Sequence, residues 1–210
     1  MVSRTQQDRS NHTIRKILDA AAAVFAEAGF EGARMDTIAR RAGVNKATIY
    51  YHIGDKQALY AEVLHDVFGD ALARIAANLQ QAKGPVEKLK IYIRNISETQ
   101  TAHPHLAPIM LREVASGGTS FPEVVARDIA LIFAQLADIL EEGNRQGLFV
   151  QTAPFIVHLM IVGTFLFYNT SGPLRYRHDI LPEIQKTLDR HIDKPVTDIV
   201  ESLVLRALLK

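Results

Sequence analysis

A chain of 210 residues with 48% hydrophobic side chains is long enough for one or two packed domains, and without cysteine it can form neither disulfides nor thiolate metal sites. Its net charge of +1 is too close to zero to mark a nucleic-acid binder, yet residues 1–56 hold nine Lys/Arg against six Asp/Glu, and the remainder fifteen against seventeen. No basic segment followed by an apolar one opens the chain and no apolar run reaches the length of a membrane span, so a soluble cytoplasmic protein with no membrane partner is expected.

Residues 1 to about 10 are polar and read as a flexible arm. Ile14, Ile17, Leu18, Ala21 and Phe25 recur at helical spacing, predicting an amphipathic helix over Thr13–Ala28 that Gly29 ends. Phe30 and Met35 read as core plugs. The next stretch, Arg34 to Lys56 (RMDTIARRAGVNKATIYYHIGDK), predicts two short helices hinged at a glycine. Ile38, Ala39 and Ala42 fall on one side of the first, and Gly43 supplies the left-handed backbone that ends it. Val44 turns back to the core, and Asn45 is a good N-cap for a helix starting at Lys46.

On that helix Ile49 and Ile53 face inward, which leaves Lys46 and Ala47, with Tyr50 and Tyr51 one turn later, on the outer flank. The combination suits a DNA groove. Lysine meets phosphate or guanine acceptors, alanine permits close approach to a base, and phenols bond phosphate oxygens. Asp55 caps a further helix whose Lys56 lies beside unpaired amides at a positive helix end, where a phosphate can be held.

That helix is expected to run from Asp55 to about Ala82 with Leu59, Val63, Val67, Leu72, Ile75 and Leu79 as its stripe, stopped by Gly84-Pro85. Pro85 opens a helix to about His103. A helix carrying Leu106, Ile109, Met110 and Val114 then ends at Gly117-Gly118. Ser120 with Glu123 reads as a capping box before a long helix to Gln146. Phe155–Asn169 is apolar on nearly every side and must be covered all round. Ser171–Pro182 reads as a loop, Glu183–His191 as a short helix and Val196–Leu209 as a last one, with Ile199, Leu203, Leu205, Leu208 and Leu209 apolar. No strand-like alternation occurs, so the fold class is all-α.

The segments AAAVFAEAGF, IARRAGV and TIYYHIGDKQAL stand together at one spacing, and over residues 13–64 the chain resembles the TetR family of bacterial transcriptional regulators. Beyond residue 64 the agreement is in helix pattern and length. The resemblance implies a helix-turn-helix DNA-binding domain at 1–54 and a larger regulatory and dimerisation domain at 55–210. It further implies a homodimer on a partly palindromic double-stranded operator, a small-molecule effector in the C-terminal domain, and a four-helix bundle formed by the last two long helices of each subunit. Asn45, Lys46, Thr48, Tyr50, His52 and Lys56 match the family's DNA-facing positions, Ala47 and Tyr51 sit where operator discrimination varies, and Arg34 and Thr37 complete the set. Arg34 departs from the Ser or Thr that commonly caps the second helix; Asp36 or the backbone would cap instead, and Arg34 could reach a phosphate.

Ligand-binding candidates are His103, Met110, Arg112, Glu113, His158 and Tyr168, though Arg112 and Glu113 equally suit an internal ion pair. His103 and His105 flank Pro104, a poor chelate geometry, so no metal and no cofactor are assigned. No phosphate loop, HExxH or nucleophile elbow is present, and an enzyme is not expected. The leading expectation is a repressor released by its effector; the alternative is a helical DNA-binding regulator controlled by a protein partner, or one with no inducer.

Overall fold

Glycines at left-handed backbone positions punctuate a chain of helices joined by short turns over the residues described by the computed structural model, 4–175 and 194–210. The helices are α1 (Arg4–Gly32), α2 (Met35–Ala42), α3 (Lys46–His52), α4 (Lys56–Leu79), α5 (Pro85–Ala102), α6 (Leu106–Ala115), α7 (Glu123–Arg145), α8 (Pro154–Thr170), α9 (Gly172–Arg175) and α10 (Val196–Leu208). The only pairing of strand type among them is an isolated antiparallel bridge between Phe149 and Leu209.

Several boundaries differ from the sequence expectation. The arm expected at residues 1–10 is helical from Arg4, because nothing in RTQQDRSNH breaks a helix and an existing helix extends more easily than it nucleates. Gly29 interrupts α1 as expected, at φ 70°. Helix α4 ends at Leu79, short of Ala82, in a tighter turn through Gln81 N–H to Asn78 and Ala82 N–H to Leu79. Part of the loop expected from Ser171 is the short helix α9; the rest of that loop and the helix expected at Glu183–His191 lie outside the described residues. Glu123, read as closing a capping box, meets Arg127 one turn along at 3.1 Å.

The chain divides into two compact units, residues 1–70 with 108–128 and residues 71–107 with 129–210. In the first, Ile17, Phe25, Ile38, Ile49, Leu59, Tyr60 and Leu64 are at most 1% exposed and form the core. In the second, α5 packs against α8 and α10, around Leu89, Tyr92, Ile93, Leu136, Phe149 and Ile161. Val114 and Leu203, assigned to apolar stripes from their spacing, are instead exposed, while Glu113 and Glu201 beside them are buried. Their helices turn a polar residue inward because a partner waits there: Tyr60 for Glu113, Lys90 and Arg94 for Glu201.

Gly143 has a sharper task. A Cβ at this position would stand 2.0 Å from the Phe149 ring, so only glycine lets the chain after α7 fold Phe149 onto the helix end. From there Val150 N–H bonds the Leu208 carbonyl and Lys210 N–H bonds that of Leu148, tying the end of α10 to the same place. Among the described residues, no helix is long and apolar enough to cross a membrane.

Candidate nucleic-acid interface

The α2–α3 pair owes its geometry to two caps. Gly43 adopts φ 67°, ψ 32°, and from it Gly43 N–H reaches the Arg40 carbonyl while Val44 N–H reaches that of Ala39, closing α2 in a Schellman motif. Asn45 then caps α3, its side-chain oxygen accepting from Thr48 N–H at 2.7 Å and from the Thr48 hydroxyl at 2.8 Å. Asn45 and Thr48 therefore spend part of their hydrogen-bonding capacity on each other. Ile49 is fully buried; Ile53 and Val44, expected to face the core, are half-buried.

What α3 presents outward is Lys46, Ala47, Tyr50 and Tyr51, with Tyr50 49% and Tyr51 85% exposed. The aromatic rings of Tyr50 and Tyr51 are thus left open on the same helix as the Lys46 cation. His52 is half-buried, its Nδ1 3.5 Å from the Ser10 hydroxyl and its ring edge-on to Tyr51. Arg34 is exposed and stands at the N-cap of α2 without a side-chain cap; its carbonyl accepts from Thr37 and Ile38. Asp36 does not cap either. Both its carboxylate oxygens lie 3.2 Å from Lys46 Nζ. Thr37 is half-buried on the same turn.

Asp55 caps α4 by accepting from Ala58 N–H at 2.8 Å. Lys56 points back to the end of α1, donating to the Phe30 carbonyl at 2.9 Å and the Glu31 carbonyl at 3.4 Å, with its ammonium 4.4 Å from the Phe30 ring centre. An ammonium has three N–H donors, so these two carbonyls do not use them all.

The six ligand-binding candidates do not form one cluster. Arg112 closes α1, its guanidinium donating to the Ala26 and Glu27 carbonyls. Glu113 is buried and accepts from the Tyr60 hydroxyl at 2.6 Å. Burial first, and this hydrogen bond second, push the Tyr60 phenol well above its ordinary range. Met110 is half-buried on the same helix. In the second unit His158 Nδ1 lies 3.0 Å from the buried Tyr92 hydroxyl and its ring meets Phe133 edge-on. Desolvation lowers the His158 pKa and raises that of Tyr92, so the pair is neutral. His103 C-caps α5, and Tyr168 carries the Arg175 guanidinium 3.9 Å above its ring.

Among the described residues of this unit, a cleft of about 330 Å³ opens between α4 and α5 and one of about 280 Å³ beside α7, and neither of these is lined by His103, His158 or Tyr168. Among the described residues no three His, Asp or Glu side chains gather as a metal site would require. Sequence reasoning placed Tyr92 on the helix opened by Pro85, where it is buried, but passed over Tyr60 and the polar line Asn95, Thr99 and Gln100 buried on α5; the i, i+4 recurrence of Asn95 and Thr99 inside an apolar stripe was its available signal.

Comparison with known proteins agrees with this geometry. Residues 17–63 match the model of the bacterial regulatory proteins of the tetR family, and residues 85–176 match a tetracyclin repressor-like C-terminal domain. The HTH-type transcriptional regulator RutR of Escherichia coli K12 is 26% identical over 159 residues, 76% of this chain and 74% of its own. The HTH-type transcriptional repressor NicS of Pseudomonas putida KT2440 is 28% identical over 176 residues, 80% of each chain. The crystal structure of the transcriptional regulator FadR of Bacillus subtilis with stearoyl-CoA superposes with a TM-score of 0.68 at 20% identity, over 92% of this chain and 98% of that one, a likeness of fold. With both its helix-turn-helix segment and its C-terminal region matched, the chain belongs to the TetR family of bacterial regulatory proteins and is a DNA-binding transcriptional regulator.

Proposed function

We propose that the protein is a homodimeric repressor that places one α3 per subunit in the major groove of a partly palindromic operator and leaves the operator when a small molecule binds its C-terminal region. The observation that carries the DNA-binding part is the outward face of α3, where Tyr51 is 85% exposed beside Tyr50 and Lys46 while Ile49 is fully buried. Arg34, Thr37, Asn45, Ala47, Thr48, His52 and Lys56 frame that face as phosphate and groove contacts. Half-sites about one helical turn apart, roughly 34 to 36 Å, would then admit both α3 helices at once.

Support for the dimer comes from α8 and α10. Phe155, Ile156, Leu159, Met160 and Phe167 on α8 and Leu203 on α10 are each more than 40% exposed, an apolar surface that water covers poorly and a second copy covers well. Support for an effector comes from NicS, named a repressor, and from the neutral Tyr92–His158 pair set among apolar helices, which suits recognition of a polar group on an apolar molecule. A ligand held by residues 55–210 would reach α3 through α4, a single helix from Lys56 to Leu79.

Selection of genomic fragments by the purified protein tests this reading. An enriched palindromic sequence bound by a dimer, with binding weakened in Lys46→Ala and Tyr50→Ala at unchanged melting temperature, is expected. Wild-type affinity in both variants would remove the α3 assignment. Compounds made or consumed by enzymes encoded beside the enriched fragments are then screened for ones that raise the melting temperature and release DNA; a regulator answering to a protein partner would respond to none.

A further inference from the structure

We propose that Asp36 is a specificity-determining residue: its carboxylate holds Lys46 in the free protein and penalises every DNA site that does not offer it a hydrogen-bond donor. The inference rests on the reading of α3 as the groove-entering helix. Lys46 is the one Lys or Arg in α3 (KATIYYH), so the fixed positive charge of that helix is concentrated in a single ammonium. That ammonium is not free. It stands 3.2 Å from each oxygen of Asp36, whose side chain is 76% exposed while that of Lys46 is 45% exposed.

Asp36 stands in the first turn of α2, where its charge favours the helix end, but it does not cap that helix. The N-cap of α2 is Arg34, and Thr37 and Ile38 donate to its carbonyl. The Asp36 oxygens reach the tip of Lys46 instead, so any DNA surface close enough to take the ammonium also meets the carboxylate. Against phosphates, or against guanine and thymine oxygens, a carboxylate is repelled and loses water without compensation. Against the exposed amino group of cytosine N4 or adenine N6 it accepts a hydrogen bond while the released Lys46 donates to guanine O6 or N7. The pair therefore admits a guanine next to an amino-bearing base and disfavours other sequences. An exposed ion pair of this kind is weak enough to open on docking.

The test measures affinity for the selected operator and for random-sequence DNA over a salt series, with wild type, Asp36→Asn, Asp36→Ser, Lys46→Ala and the double variant Asp36→Asn/Lys46→Ala, each checked by thermal melting. Removing one unit charge a few ångströms from phosphates should tighten random-sequence binding roughly threefold to tenfold. The operator should gain less, so that discrimination narrows, and preference at one operator position should fade in a base-by-base profile. The gain should differ between the wild-type and Lys46→Ala backgrounds, because part of it comes from releasing that ammonium, whereas the repulsion between carboxylate and phosphates acts in both. A carboxylate that merely steadies the first turn of α2 predicts the opposite sign, weaker binding to both DNAs, and that result overturns the proposal. Equal gains on both DNAs, or a gain of the same size with and without Lys46, overturn it as well. Wild type that enriches no sequence over random DNA would instead remove the groove-reading of α3 and the proposal with it, an outcome distinct from a variant effect of the wrong sign.

Discussion

The Tyr60 hydroxyl donates to Glu113 across 2.6 Å in the first unit, joining α4 to α6 beneath the aromatic group of Phe25 and Phe30. Tyr60 is 1% and Glu113 6% exposed, and the second carboxylate oxygen of Glu113 is buried with no hydrogen-bond partner among the described residues. Taking away the hydroxyl leaves the buried carboxylate without this donor. Tyr60→Phe should therefore cost about 2–4 kcal/mol, more than the loss of an ordinary hydrogen bond, and Tyr60→Phe/Glu113→Leu should recover much of it. Urea denaturation of the three proteins checks this; a double variant as unstable as the sum of the singles would contradict it. The raised Tyr60 pKa adds a pH signature. Stability from the neutral phenol is fully present below about pH 10 and is lost above it as the unfolded chain ionises first, so Tyr60→Phe should flatten that alkaline decline.

Local signals in the sequence were read correctly where the residue and its effect lie within a turn of each other. Gly43, Asn45, Asp55, Pro85 and Pro154 each act on backbone groups a few residues away, and each helix boundary they set is where their chemistry puts it. What escaped is what only folding brings together. Tyr60 and Glu113 are 53 residues apart in sequence, and Tyr92 and His158 are 66 apart. Asp36 and Lys46 sit on different short helices, and nothing in their spacing announces that the carboxylate meets the ammonium. Polarity misled in both directions. Asn95, Thr99 and Gln100 are buried because Arg74, Asn78 and Asn169 supply partners, and Val114 is exposed although its spacing suits a core stripe.

His158 gives the acid counterpart of the Tyr60 profile. Its pKa is depressed by desolvation, so the folded protein keeps the imidazole neutral while the unfolded chain takes up a proton near pH 6.5. Stability from this group is complete above about pH 6.5 and falls as pH drops through the folded value. In the spectrum of the folded protein the His158 ring protons should titrate below the ordinary histidine range, and His158→Phe should show a shallower loss of stability as pH falls below about 6.5. An ordinary titration midpoint would refute the assignment.

Gly143 should tolerate no side chain. A methyl group placed 2.0 Å from the Phe149 ring has to displace a fully buried aromatic, so Gly143→Ala should cost about 1–3 kcal/mol even though alanine is the better helix former. Gly143→Ala/Phe149→Leu should recover part of the loss, because the smaller branched side chain leaves room. A stabilised Gly143→Ala protein in thermal melting would show that Phe149 packs elsewhere.

Lys56 has two separable roles, and one substitution reads both. Two of its N–H groups close the end of α1 through the Phe30 and Glu31 carbonyls, and its ammonium lies over the Phe30 ring. Lys56→Met keeps the aliphatic stem but removes the cation, and should lower stability by about 0.5–1 kcal/mol through the lost helix-end and ring interactions. If the remaining N–H neutralises one operator phosphate, the slope of log affinity against log salt should also flatten by about one unit. Lys56→Arg separates the roles, since a guanidinium keeps the charge for the phosphate but cannot direct donors to both carbonyls from a compact ammonium. It should restore the salt slope and leave part of the stability loss. A slope unchanged in Lys56→Met, with stability reduced, would assign Lys56 to the α1–α4 junction alone and leave the phosphate contacts to Arg34, Thr37 and Lys46.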